Sequence, residues 1–240
     1  MVRKALALGL ALILVSVALT AWGQEKSPSR IVSEKFIGKF HASGIPESIK
    51  ISPNCKRVAY VVGQGGWFGG GKQFVVVDGK DEKPYDKIGA TGIVFSPDNR
   101  RVAYLAQEGD KWFVVVDGKE QKQYDRFIKD SLVFSPDSQS LAYAAEVSNK
   151  NFVVVDGKEE KQYDGIMQGT LTFSPDSKRV AYSANEGNKY WFVVVDGNEG
   201  KKYDSLLRGG NKVIFDSLDA FHYLAEIGLD RIYLVEERIE

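Results

Sequence analysis

Sulfur and imidazole are scarce in this chain. One cysteine, Cys55, among 240 residues excludes an intrachain disulfide, so packing alone must hold the fold. Two histidines, His41 and His222, give a nucleophile-base pair little to draw on. The sequence also lacks Gly-x-Ser-x-Gly, His-Glu-x-x-His and a phosphate-binding loop. Charge of one sign is missing too: Lys+Arg and Asp+Glu number 32 each, so no basic excess attracts nucleic acid. Long apolar runs are absent except at the start, where Arg3 and Lys4 precede Ala5 to Val15 and a weaker continuation to Ala21. This is the pattern of a secretory signal. The small residues of Ala21-Trp22-Gly23 place cleavage after Gly23 (residues 1–23), with 24–34 as a linker. An uncleaved anchor over Ala5 to Trp22 is the alternative. Either way the following domain is expected outside the cytoplasm, periplasmic or secreted. No cysteine follows the run to carry a lipid.

Aromatic residues and glycine are plentiful, with 13 Phe, 11 Tyr and 24 Gly, which suits an all-β chain. The dominant signal is a repeat. Phe95-Ser-Pro-Asp98 recurs as Phe134-Ser-Pro-Asp137 and Phe173-Ser-Pro-Asp176, with a degenerate first copy at Ile51-Ser-Pro-Asn54. Val-Val-Val-Asp-Gly ends at Gly79, Gly118, Gly157 and Gly197, and Tyr-Asp follows at Tyr85, Tyr124, Tyr163 and Tyr203. Each copy reads as four strands. Ile93 to Phe95 is stopped by a type I Ser-Pro-Asp-Asn turn. Arg101 to Ala106 is apolar on both faces and must be covered on both. Trp112 to Val116 ends in an Asp-Gly hairpin, and Gln121 to Tyr124 forms a charged outer strand that resists pairing with other chains.

Such units need neighbours on both faces, which predicts a β-propeller of four-stranded antiparallel blades. The repeats are expected at about 48–88, 92–127, 131–166, 170–206 and 211–237. The fifth lacks a fourth strand, and an N-terminal strand at 35–41 has no blade of its own. The expectation is therefore a five-bladed propeller over 35–240, closed by that strand completing the last blade.

The stretch Ser174-Pro-Asp-Ser-Lys-Arg-Val-Ala-Tyr182 followed by Phe192-Val-Val-Val-Asp-Gly197 resembles the WD-like β-propeller repeat of TolB and of peptidase-associated propellers. The resemblance covers roughly Ile31 to Glu237. It implies an interaction platform of the cell envelope or a gating domain beside a serine peptidase. The count of five read here is lower than in those relatives.

Repeated acids such as Asp98 and Asp117 stand in every copy, so turn hydrogen bonding explains them better than a glycosidase pair, which would break the repeat. Cys55 sits where other copies have Asn99, Ser138 and Ser177 and reads as a small turn residue. His222, at a position of alanine elsewhere, reads as filling space between blades. Positions where copies disagree carry more information. The loops joining second to third strands, and each fourth strand to the next blade, share one face. That face is expected to gather Trp67 and Phe68 from an enlarged Gly-rich loop, together with Trp112, Arg126, Lys129, Met167, Tyr190, Trp191 and Arg208. Large aromatics on a surface are typical anchors for partners; Trp67 and Phe68 plugging the channel mouth is the competing reading. The expected role is non-catalytic binding or scaffolding of a protein, peptide or glycan by a monomer, with no cofactor, no metal and no nucleic acid. A glycosidase-like enzyme using channel carboxylates and a purely structural envelope protein are the alternatives.

Overall fold

A computed structural model describes residues 33–64, 71–89, 92–187, 189–207, 212–228 and 230–239. Residues 1–23, expected to form a signal, and residues 65–70 of the expected Gly-rich loop lie outside the described residues, as does position 208. The chain divides into compact units Met1–Phe36 and Ile37–Glu240, and every sheet belongs to the second.

The described residues contain no α-helix and form five antiparallel sheets in chain order. The second sheet is representative. Lys87–Ile88 and Val94–Phe95 together make a broken inner strand, followed by Val102–Glu108, Lys111–Val116 and the short outer strand Lys119–Glu120. Both inner pieces pair with the same second strand, Ile88 opposite Ala106 and Val94 opposite Ala103. Tyr124 adds an isolated bridge to Trp112.

The repeated phrases have structural causes. Asp117 and Gly118 have φ of 50° and 76°, which suits the primed hairpin turn whose twist matches that of its strands. The Asp117 carboxylate also accepts the Val102 N–H at 2.9 Å and the Arg101 guanidinium at 3.1 Å. In the Ser-Pro-Asp turn, Ser96 Oγ donates to Asp98 and accepts the Arg101 N–H at 2.9 Å. The next position links neighbouring sheets. Asn99 accepts the Asn54 N–H at 2.8 Å, Ser138 the Asp98 N–H at 2.9 Å and Ser177 the Asp137 N–H at 2.9 Å.

Alternation along the second and third strands sends apolar residues to both faces, and each sheet packs on the next. Val61, Val75 and Val77 of the first sheet meet Tyr104, Phe113 and Val115 of the second. Equivalent clusters join the second to the third, the third to the fourth and the fourth to the fifth. The charged outer strands pair across sheets as well as shielding an edge: Lys83 meets Glu120, and Lys122 meets Glu159, both at 2.7 Å.

Three expectations are corrected. Arg126–Phe127, expected to end a repeat at 127, instead begins the third sheet, opposite Glu146 and Ala145. Gly165–Ile166 and Ser205–Leu206 move in the same way, because the chain crosses between sheets at the aspartate of each Tyr-Asp pair. The segment 35–41 forms no strand, and residues 37–41 lie on the first sheet. Phe40 packs on Tyr60 with tilted rings whose centroids are 4.5 Å apart, and the Tyr60 hydroxyl donates to the Lys39 carbonyl at 3.1 Å. A Cβ on Gly38 would lie 2.7 Å from Gly79 Cα, so the segment reaches this sheet only as glycine. An apolar face that needs covering therefore takes the residues expected to finish the last sheet. His222 fills no space between sheets either. Among the described residues the face it occupies has no following sheet, and its Nδ1 lies 2.8 Å from Asp216.

Candidate functional site

The aspartate of each Tyr-Asp pair fixes one face of the array. Asp86, Asp125, Asp164 and Asp204 accept the N–H of Gly109, Ser148, Gly187 and Gly228, at 2.8, 2.8, 2.6 and 2.8 Å. Each connector is thereby tied to the hairpin of the following sheet, which brings these two kinds of loop onto a common face. Lysines add to this: Lys72 pairs with Asp86 at 2.8 Å, and Lys111 and Lys150 pair with Asp125 and Asp164. The lysine ammonium, then the backbone donor, hold the carboxyls of Asp86, Asp125 and Asp164 below the ordinary carboxylate range.

Two columns of the repeat vary on this face. At the start of the third strand, Gln73 accepts the Ile88 N–H at 2.7 Å and Asn151 donates to the Asp164 carbonyl at 3.1 Å. The equivalents Trp112 and Trp191 are mostly apolar surface and offer a single N–H donor. In the inner-strand connectors, Ser48, Ser131 and Thr170 each accept a second-strand N–H, from Val61, Ala144 and Ser183, at 2.8, 3.0 and 3.0 Å. The same hydroxyls donate to the carbonyls of Ile45, Ile128 and Met167. The second sheet has Gly92 at this position and Gly89 where the third and fourth sheets have Ile128 and Met167. Leu105 takes part of the vacated space, since a Cβ on Gly89 would lie 3.1 Å from Leu105 Cβ.

The consequence is a cavity of about 560 Å³ between the second and third sheets. Val94, Leu105, Phe127, Ile128 and Leu132 supply apolar walls beside Trp112, Gly89 and Gly92, and Arg126, Lys129 and Asp130 stand among the lining residues. A volume of this order suits a small molecule or an anchoring side chain. Two smaller cavities, of about 160 and 250 Å³, lie between the fourth and fifth sheets and beside the outer strands of the second and third.

Of the residues singled out in the sequence, Trp112, Arg126 and Lys129 come together in the large cavity. Met167 and Trp191 pack against the cluster joining the fourth and fifth sheets. Tyr190 is exposed, with the Lys189 ammonium 4.9 Å from its ring centre. Trp67, Phe68 and Arg208 lie outside the described residues. Sequence reasoning missed Gly89, Gly92, Leu105, Phe127 and Leu132. The usable signal was the double departure of Gly89 and Gly92 from their columns. Among the described residues no group of three His, Cys, Asp or Glu is placed to hold a metal ion, and no helix is long and apolar enough to cross a membrane.

Four-stranded antiparallel sheets stacked in chain order, each offering its hairpins to one face, fit the plan of a β-propeller. No family model matches the chain, and no curated protein matches it. Solved structures do. The eukaryotic initiation factor structure aligns at TM-score 0.51 and 11% identity, over 82% of this chain and 56% of that one. TolB from Acinetobacter baumannii aligns at TM-score 0.41 and 15% identity, over 76% of this chain and 50% of that one. The acylaminoacyl peptidase of Pyrococcus horikoshii aligns at TM-score 0.46 and 14% identity, over 79% and 38%. The chain thus spans about half the length of the TolB and initiation-factor structures, and the likeness is one of fold.

Proposed function

We propose that this chain is an exported, non-catalytic β-propeller of five blades that binds a protein, peptide or glycan on the face carrying the hairpins and inter-sheet connectors. One observation carries the reading. The repeat departs from its own pattern at Gly89, Gly92 and Trp112, and these departures meet in a single cavity of about 560 Å³. Blade construction alone does not ask for the two glycines, since the first, third and fourth sheets carry a hydroxyl where this one has Gly92, and Trp112 stands in a column that holds amides in the first and third sheets and Trp191 in the fourth. Export is inferred from the basic and apolar pattern of residues 1–23, and the Gly-rich loop with Trp67 and Phe68 would enlarge the binding face. The protein acts as a monomeric platform without a cofactor.

Trp112→Ala tests the reading together with the double substitution Trp67→Ala and Phe68→Ala. Affinity capture from cell-envelope extract is expected to lose the same ligand with either variant while circular dichroism stays unchanged. An identical captured set for the parent chain and both variants would remove the site from this face.

A further inference from the structure

We infer that the cavity between the second and third sheets takes an apolar molecule bearing a single carboxylate, with Trp112, Leu105 and Phe127 enclosing the apolar body and Arg126 and Lys129 receiving the anion. The inference rests on the reading of this face as the binding surface and specifies its ligand.

The charge pattern supplies the first argument. Most lysines of the face are already neutralised: Lys72, Lys111 and Lys150 by connector aspartates, and Lys202 by Glu186 at 2.5 Å. Arg126 and Lys129 are exposed and form no ion pair among the described residues. The acids around them answer that charge only in part: the Arg126 charge acts on Asp125 beside it, and Asp130 lines the same cavity. Asp130 accepts a hydrogen bond from Gln168 at 2.8 Å, and Asp125 is held by Lys111 and the Ser148 N–H. Glu146 stands opposite Arg126 in the strand register without reaching ion-pair distance. Two cations outside any ion pair among the described residues, with one carboxylate at Asp130, therefore border a mostly apolar cavity.

The cavity itself supplies the second argument. Its walls are those of a site for a hydrophobic body, and the hydroxyl that ties the connector to the second strand elsewhere is missing at Gly92. A guanidinium offers a planar fork that matches a carboxylate in two parallel hydrogen bonds. A more highly charged head would have to leave water beside Val94, Ile128 and Leu132, at greater desolvation cost. The carboxylate can belong to a free fatty acid or to the chain terminus of a peptide ending in apolar residues. The chemistry recognised is the same.

Calorimetric titration of the full chain distinguishes these sources. The probes are decanoate, methyl decanoate, decyl phosphate, and a tetrapeptide ending in Leu-Phe with either a free or an amidated terminus. Decanoate or the free-acid peptide should bind at least tenfold more tightly than its uncharged counterpart, and the member of the pair that does so identifies the source. The double substitution Arg126→Gln and Lys129→Gln should erase that preference and leave the weak binding of the ester unchanged. Leu105→Trp, which fills the cavity, should weaken both. Equal binding of acid and ester, tighter binding of decyl phosphate, or no binding of any probe would overturn the inference. If envelope capture still depends on Trp112 in that event, the binding face stands and only its ligand chemistry falls. If the carboxylate binds while capture ignores Trp112, the platform reading falls instead.

Discussion

The first and fifth sheets are built from the same repeat and finished in opposite ways. On the first sheet the face turned away from the second bears Tyr60, Val62, Phe74 and Val76, all buried. Residues 37–41 contribute to that cover: Phe40 lies on Tyr60, and the His41 ring meets Phe74 edge-on at 6.1 Å. On the fifth sheet the face turned away from the fourth bears Ile214, Ile232 and Leu234, exposed by 41%, 63% and 61%. Its last strand, Arg231–Arg238, has no outer strand beyond it among the described residues. An inner sheet has neighbours on both sides by construction, whereas a terminal sheet must recruit cover from elsewhere in the chain. The N-terminal segment can cover one end only, and it goes to the end nearest in sequence.

Breaking the covered end should cost most. Tyr60→Ala removes a buried ring together with its bond to Lys39, and should destabilise the array by about 3–5 kcal/mol in urea titration; a loss below about 1 kcal/mol would mean the first face needs no cover. The sharpest test of the contrast uses one aliphatic residue from each end face. Val62→Ala, fully buried on the covered face, should cost about 2 kcal/mol, and Leu234→Ala less than about 0.5 kcal/mol; equal losses would show that the fifth face is buried in solution. Gly38→Ala drives a methyl against Gly79 and should cost about 1 kcal/mol, with amide protection of residues 37–41 lost first. No loss there would place the segment off the first sheet.

The smallest effects concern contacts shared by the inner sheets. Glu120→Gln breaks the exposed pair with Lys83 and should change the midpoint less than any substitution above, because water and salt screen such pairs. The connector aspartates predict a pH response. Asp86, Asp125 and Asp164 are held below the ordinary carboxylate range, first by a lysine and then by a backbone N–H. The folded state therefore binds their protons less readily than the unfolded state. Their contribution is present at neutral pH and is lost as pH falls through the lowered values, under about pH 4. The amide resonances of Gly109, Ser148 and Gly187 should titrate together in that range. Titration at or above the ordinary aspartate value would remove the proposed ties.

Much of the fold was legible because the repeat repeats its turn chemistry. Asp-Gly can hold the left-handed backbone of a tight hairpin wherever it occurs, so the strand pairs flanking Asp78, Asp117, Asp156 and Asp196 were readable one by one. The inner strands were harder. Each is two short pieces separated by a connector, and nothing in Arg126-Phe127 alone says which sheet it joins; the Asp125 bond to Ser148 settles that. Trp112, Arg126 and Lys129 were identifiable as deviations from the repeat. The glycines beside them were not, because a missing side chain shows as a cavity only when its neighbours are in place.

Local patterning of residues by itself determined an all-β chain of repeated four-stranded sheets with tight hairpins, because turn geometry and strand alternation act over a few residues. Only the tertiary structure decided which face residues 37–41 cover and where the departures at positions 89, 92 and 112 converge. Both depend on contacts between segments far apart in the chain, where burial and steric fit, and no local preference, select the partner.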